Sequence, residues 1–113
     1  MRDFKYLYNA KVVSVYDGDT ITLDIDLGFN HWMLQEKIRL YGINTPEVRG
    51  IERPQGLESR DFLRELILHK SVVVETYKDK KGKYGRYLAE VFLDDVNIND
   101  LLVTKGFAVY KEY

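Results

Sequence analysis

The sequence predicts a mainly β domain with added helices, an α+β fold. We expect a small closed barrel of five principal strands, with a helix after the third and a short helix near the C-terminus. Three observations point there. Apolar and polar residues alternate with a period of two from Thr20 to Leu27. The period then changes to that of a helix between about Leu57 and His69, and two further strand-like segments follow. At 113 residues the chain suits one domain around one core, spanning residues 1–113.

The elements follow in order. "KVVSVYDGDTITLDIDLG" reads as two strands about a tight connection, with Thr20, Thr22, Asp24 and Asp26 alternating with Ile21, Leu23, Ile25 and Leu27. Asp17-Gly18 is a hairpin signal of the kind whose two central residues both take positive φ. His31 and Trp32 are expected in a hairpin loop, before "EKIRLYGI" supplies a third strand ended by Gly42 and the turn that Pro46 fixes. Phe62, Leu63, Leu66 and Ile67 form the apolar stripe of the helix. Acids Glu58 and Asp61 stand early, and His69 and Lys70 late, matching the helix dipole. "SVVVETY" and "RYLAEVFL" are two more strands, joined by "KDKKGKYG". Asn97 is placed to cap a short helix through Leu101 and Leu102, closed by Gly106. "FAVYKEY" ends the chain as an extended piece. Five strands with a helix after the third suit the oligonucleotide-binding type of barrel.

Composition narrows the possible partners. Hydrophobic residues make up 45% and charged residues 31%, with a net charge of −1, so a polyanion must be met by a local patch rather than by the whole surface. The absence of cysteine rules out a disulfide framework and thiolate metal sites. The start, "MRDFKYLYNA", lacks the apolar centre of a signal peptide, and no run is long enough to span a bilayer. A soluble cytoplasmic monomer with no membrane partner is the expectation.

Four stretches can carry chemistry, and each has an ordinary alternative. "DGDT" holds Asp19, a hard oxygen ligand for a divalent cation such as calcium, or simply an aspartate that suits a turn. In "INTPE", Asn44 can offer an amide oxygen, Thr45 a backbone carbonyl, and Glu47 a base for water; a strand end with a proline turn explains the same residues. Arg39 stands on a strand that otherwise reads as barrel wall, where an arginine is more often half of a salt bridge. "KDKKGKYGR" places five cations against one acid within nine residues, with Tyr84 among them. Such a loop is usually just solvated, yet an aromatic face amid cations also suits a base and its phosphates.

Taken in order, "YDGDT", "IRLYGINTPE", a helix after "QG", "KYGRYLAEVFL" and "NINDLLVTKGFA" resemble the staphylococcal nuclease (thermonuclease) family over nearly the whole chain. That resemblance implies an oligonucleotide-binding-fold barrel that hydrolyses DNA and RNA with Ca2+ and leaves 3′-phosphate ends, on single-stranded or locally open substrate. It implies metal ligation by Asp19 and, through its main-chain oxygen, by Thr45, with Asn44 at the neighbouring position. It further implies Glu47 as general base, Arg39 and Arg86 as phosphate-binding guanidiniums, and Lys83 and Tyr84 as nucleotide contacts. Arg49 matches no such role and reads as a surface residue.

The chain departs from the family pattern in three ways. Aspartate is common in the family where Asn44 stands here, so the site has one negative charge fewer, with Asp17 able to compensate in part. Well-studied members continue into a further helix beyond the position of Tyr113, and Tyr110 or Tyr113 is left to supply an aromatic wall. The family is known for basic secreted enzymes, whereas this chain is nearly neutral, which fits an intracellular, phage or bacterial setting. A catalytically weak or inactive nucleic-acid- or protein-binding module is the rival function, and Asn44 is its best support.

Overall fold

The computed structural model describes residues 6–81 and 85–111, and side chains throughout these ranges except at residues 77–81. Three long strands open the chain: β1 (Tyr6–Asp17), β2 (Thr20–Gly28) and β3 (His31–Leu40). Two-residue β4 (Ile43–Asn44) follows, then a 3-10 turn over Gly50–Glu52 and helix α1 (Arg53–Ile67). Strands β5 (Ser71–Lys81) and β6 (Tyr87–Leu93) come next. Short β7 (Val96–Asn97), helix α2 (Ile98–Thr104) and β8 (Val109–Tyr110) complete the order.

The main sheet runs β3-β2-β1-β5-β6-β7, and a parallel pairing of β3 with β6 closes it into a five-stranded barrel. This is the predicted architecture. Closure is short: Ile38, Arg39 and Leu40 face Tyr87, Leu88 and Ala89. Those three pairs bring Arg39 and Arg86, 47 positions apart in sequence, to the same seam. The alternation read from β2 holds over Ile21, Leu23 and Ile25, which are buried in the core with Val12, Ile38, Leu40, Val74 and Val91, and fails at its ends, where Leu27 is exposed and Thr20 buried. Leu63 and Ile67 of α1 and Ile98 and Leu102 of α2 join the same cluster.

Three local expectations need correction. Gly18 is not among the residues of positive φ, and the β1–β2 turn falls on Gly18-Asp19. Glycine is required there for space: a Cβ at Gly18 would lie 2.9 Å from both Ser59 Cβ and Thr45 Cγ2. The left-handed pair instead makes the β2–β3 turn, at Phe29 (φ 53°) and Asn30 (φ 65°), so His31 and Trp32 belong to β3. Helix α1 starts at Arg53, four residues before Leu57, because Pro54 stands in its first turn where a missing N–H costs nothing.

The second helix follows its sequence signals. Asn97 Oδ1 accepts the Asp100 N–H at 3.1 Å, and Gly106 has φ 84°. Within α2, buried Asn99 bridges to the barrel: its Oδ1 accepts from Val91 N (3.2 Å) and its Nδ2 donates to Tyr41 O (2.9 Å) and Ala89 O (3.2 Å). Deleting this amide leaves the buried Val91 N–H without its acceptor, whereas Ala89 O keeps the Tyr41 N–H at 2.8 Å, so Asn99→Ala should cost about 2 kcal/mol in urea unfolding. A loss below about 1 kcal/mol would show that water replaces those bonds.

Candidate active site

The β1–β2 turn, the seam of β3 and the segment after β4 converge at one end of the barrel. In the β2–β3 ladder Thr20 pairs with Arg39. Asp19 precedes that pair, and its buried carboxylate accepts the Thr45 N–H through Oδ2 at 3.0 Å. The same oxygen lies 3.4 Å from Arg39 Nη2, an ion pair whose side chains are 11% and 10% exposed. Arg39 Nη2 also donates to Asn44 Oδ1 at 3.0 Å, while Nη1 donates to Leu40 O at 2.8 Å. Arg86 enters from the far side of the seam and donates through Nη1 to Thr20 Oγ1 at 3.1 Å. The Thr20 hydroxyl in turn donates to Asp19 Oδ1 at 3.3 Å. One network therefore contains Asp19, Thr20, Arg39, Asn44, Thr45 and Arg86.

Strand β8 holds this arrangement from outside. Its Val109 pairs with Asn44 and its Tyr110 with Ile43, and Lys111 N donates to Gly42 O at 2.8 Å. The Tyr110 hydroxyl donates to Asp100 Oδ1 at 3.3 Å. Stacked Phe62 and Phe107, with centroids 4.5 Å apart, join α1 to the approach to β8. Ser59 Oγ adds a hydrogen bond to Phe107 O at 2.8 Å.

Glu47 is set apart from the network. Its side chain is exposed, two residues beyond Thr45. Its N–H donates to Glu52 Oε1 at 3.1 Å, and Arg53 Nη1 donates to Val48 O at 3.0 Å. Arg49, expected to be mere surface, donates to the Tyr16 hydroxyl on β1 at 3.0 Å. Lys83, Tyr84 and Tyr113 lie outside the described residues.

Sequence reasoning passed over Thr20, Glu52 and Gly56. Thr20 sat inside the quoted "DGDT", but only the β2–β3 register reveals that it links Asp19 to Arg86. Glu52 had a local signal, an acid just before Pro54, although it makes no side-chain hydrogen bond to cap the helix.

The donors suit a hard cation. Beside Asp19 stand Asp17, whose Oδ1 accepts the Asp19 N–H at 3.1 Å, the Asn44 amide oxygen on the shared Arg39 Nη2, and Thr45, whose buried Oγ1 has no hydrogen-bond partner among the described residues. All offer oxygens, the type that calcium and magnesium take. The charge is modest, since no group of three or more His, Cys, Asp or Glu side chains able to hold a metal occurs among the described residues. Asn44 therefore leaves the site dependent on neutral oxygens.

Burial, and then the Asp19 side chain beside it, push the Asp17 carboxyl up from 3.8 to about 7. An acid whose folded pKa lies above its unfolded one favours the fold in full below the unfolded value, and loses that contribution as pH rises through the folded value. In chelator, Asp17 therefore contributes a fall in Tm from about pH 4 to pH 8, and Asp17→Asn should remove that contribution. The variant should melt about 4 °C or more higher at pH 8. Melts that fall in parallel for the two proteins would refute this.

A five-stranded barrel with a helix after the third long strand, and with guanidiniums, carboxylates and a polar turn gathered at its closing seam, is an α+β domain of the oligonucleotide-binding type. Comparison with known proteins gives the family. The sequence profile described as staphylococcal nuclease homologue matches residues 37–113. The thermonuclease of Staphylococcus hyicus is 36% identical over 106 residues, covering 91% of this chain and 59% of the relative. The thermonuclease of Staphylococcus intermedius is 35% identical over 105 residues, covering 90% and 59%. Endonuclease YncB of Bacillus subtilis is 28% identical over 108 residues, covering 92% and 48%. The chain belongs to the staphylococcal nuclease homologue family, and it spans between 48% and 59% of the length of these three relatives.

Proposed function

We propose that this chain is a calcium-dependent endonuclease that hydrolyses phosphodiester bonds of DNA or RNA and leaves 3′-phosphate ends. The observation that carries this reading is the network joining Asp19, Arg39, Asn44, Thr45 and Arg86, with the exposed Glu47 two residues after Thr45 in the chain. Membership of the family and the nuclease names of its relatives support it.

A phosphodiester resists attack because its anionic oxygens repel a nucleophile, so a site must present positive charge where negative charge accumulates. Arg39 and Arg86 each offer a planar fork of donors that matches phosphate oxygens. Arg39 is preorganised for this, being held by Leu40 O and Asn44 Oδ1. Glu47 takes the proton of the attacking water, and Arg86 stabilises charge on the departing 5′-oxygen. Asp19, Asn44 and the Thr45 carbonyl would hold the calcium ion, which supplies positive charge at a phosphate oxygen and orients water. Lys83 and Tyr84 are assigned to contacts with the bound nucleotide.

The test is a single-stranded DNA oligonucleotide incubated with the protein in calcium and in chelator. Cleavage in calcium alone, with products whose 3′ ends a phosphatase alters, is the expected result. Binding without cleavage in either condition would establish the alternative, a nucleic-acid-binding module that has lost catalysis.

A further inference from the structure

We propose that Glu52 and Gly56 are positioning residues for Glu47, gripping its backbone so that an exposed carboxylate is delivered to one place. The inference rests on Glu47 acting as the base, as proposed above. A catalytic group must be held within a fraction of an ångström of its working geometry, usually by contacts that lock its side chain. Glu47 is exposed, and the guanidinium of Arg49 is its charged neighbour. Its position must therefore be set through the main chain.

The main chain is held from several sides. Glu52 occupies the cap position of α1, yet its carboxylate accepts the Glu47 N–H at 3.1 Å instead of capping the helix. On the other side of the same residue, the Glu47 carbonyl rests against Gly56 in the first turns of α1. A methyl group at Gly56 would overlap that carbonyl and lie 2.9 Å from Val48 N. The close approach explains why a glycine sits inside a helix, where it costs about 1 kcal/mol relative to alanine. Arg53 Nη1 adds a bond to Val48 O at 3.0 Å, and Arg49 ties the following residue to Tyr16 of β1 at 3.0 Å. Helix α1, packed on β1 through the core, is thus the reference frame for Glu47 as well as part of the fold.

A plain loop tether would give the same hydrogen bond, so the test must ask whether Glu52 acts through Glu47. Glu52 is exposed, and its loss leaves the core untouched. With single-stranded DNA and calcium, Glu52→Ala should lower kcat about 10- to 100-fold with KM nearly unchanged. Glu52→Gln, which keeps an acceptor oxygen, should restore kcat to within about threefold, and exposed Glu58→Ala should have no effect. In a Glu47→Gln background, Glu52→Ala should cause no further loss, because there is no base left to misplace. Equal losses in both backgrounds, or no loss in the wild type, would overturn the proposal. Full activity of Glu47→Gln itself would instead remove the assignment of the base, a separate failure visible in a separate protein. Gly56→Ala gives an independent arm: it should lower kcat in the wild-type background and not in Glu47→Gln.

Discussion

Arg86→Ala is expected to slow phosphodiester cleavage by about 10²- to 10³-fold, the loss typical when one preorganised donor to a transition-state oxyanion is removed. Its Tm should move by less than about 4 °C. The bond to Thr20 supports the stability expectation. Arg86 donates to Thr20 Oγ1, and that hydroxyl keeps its own contact with Asp19 Oδ1 when the guanidinium is gone. Arg39→Ala should behave differently, losing both activity and stability. Arg39 is buried, and its removal leaves the Asp19 carboxylate in a low-dielectric site beside Asp17 without its cation, with Leu40 O and Asn44 Oδ1 deprived of a donor. Breaking one side of a buried pair costs about 3 to 5 kcal/mol, which should lower Tm by about 12 to 20 °C. Thermal melts beside single-turnover rates on one oligonucleotide separate the two. A well-folded Arg86→Ala protein at full rate would remove Arg86 from the chemistry, and an undiminished Tm for Arg39→Ala would show that the buried network does not hold this end together.

How much of this was legible in the sequence depends on distance along the chain. Asp19, Asn44, Thr45 and Glu47 fall in short motifs whose residue types already suggest oxygen ligands and a base. The alternation of β2 and the Asn97 cap were legible for the same reason: their signals lie within a few residues. Thr20 was not, because its role as the link between Asp19 and Arg86 exists only once β2 pairs with β3 and β3 closes on β6. Nor was Asn99, whose three partners lie 8 to 58 residues away in the chain. Gly18 was assigned to its turn on a rule of dihedral angles, whereas the fold requires it for the space between Thr45 and Ser59. Gly56 raises the same difficulty inside a helix. A sequence marks a glycine without saying whether backbone freedom or close approach selected it.

Asn44→Asp should tighten calcium binding about tenfold by isothermal titration, while lowering the Tm of the metal-free protein. The gross gain is larger: two opposite unit charges about 4 Å apart at an effective dielectric of about 20 attract by about 4 kcal/mol, close to a thousandfold in affinity. Two features of this site reduce it. Arg39 Nη2 already lies 3.0 Å from Asn44 Oδ1, so the new carboxylate shares its charge with a cation that the amide does not neutralise. Part of the remainder is lost in removing water from another ion. At pH 8, above the raised titration of Asp17, and without metal, the new charge joins buried Asp17 and Asp19 and the three repel one another, so melting should come earlier in chelator. Calcium should then raise Tm by more in the variant than in the wild type, because binding to the folded state alone stabilises it in proportion to affinity. That crossing of melting curves ties the affinity change to charge at the site rather than to altered packing. Equal affinities for the two proteins would mean that position 44 does not face the ion, and the ligand set would then have to be rebuilt around Asp17 and Asp19.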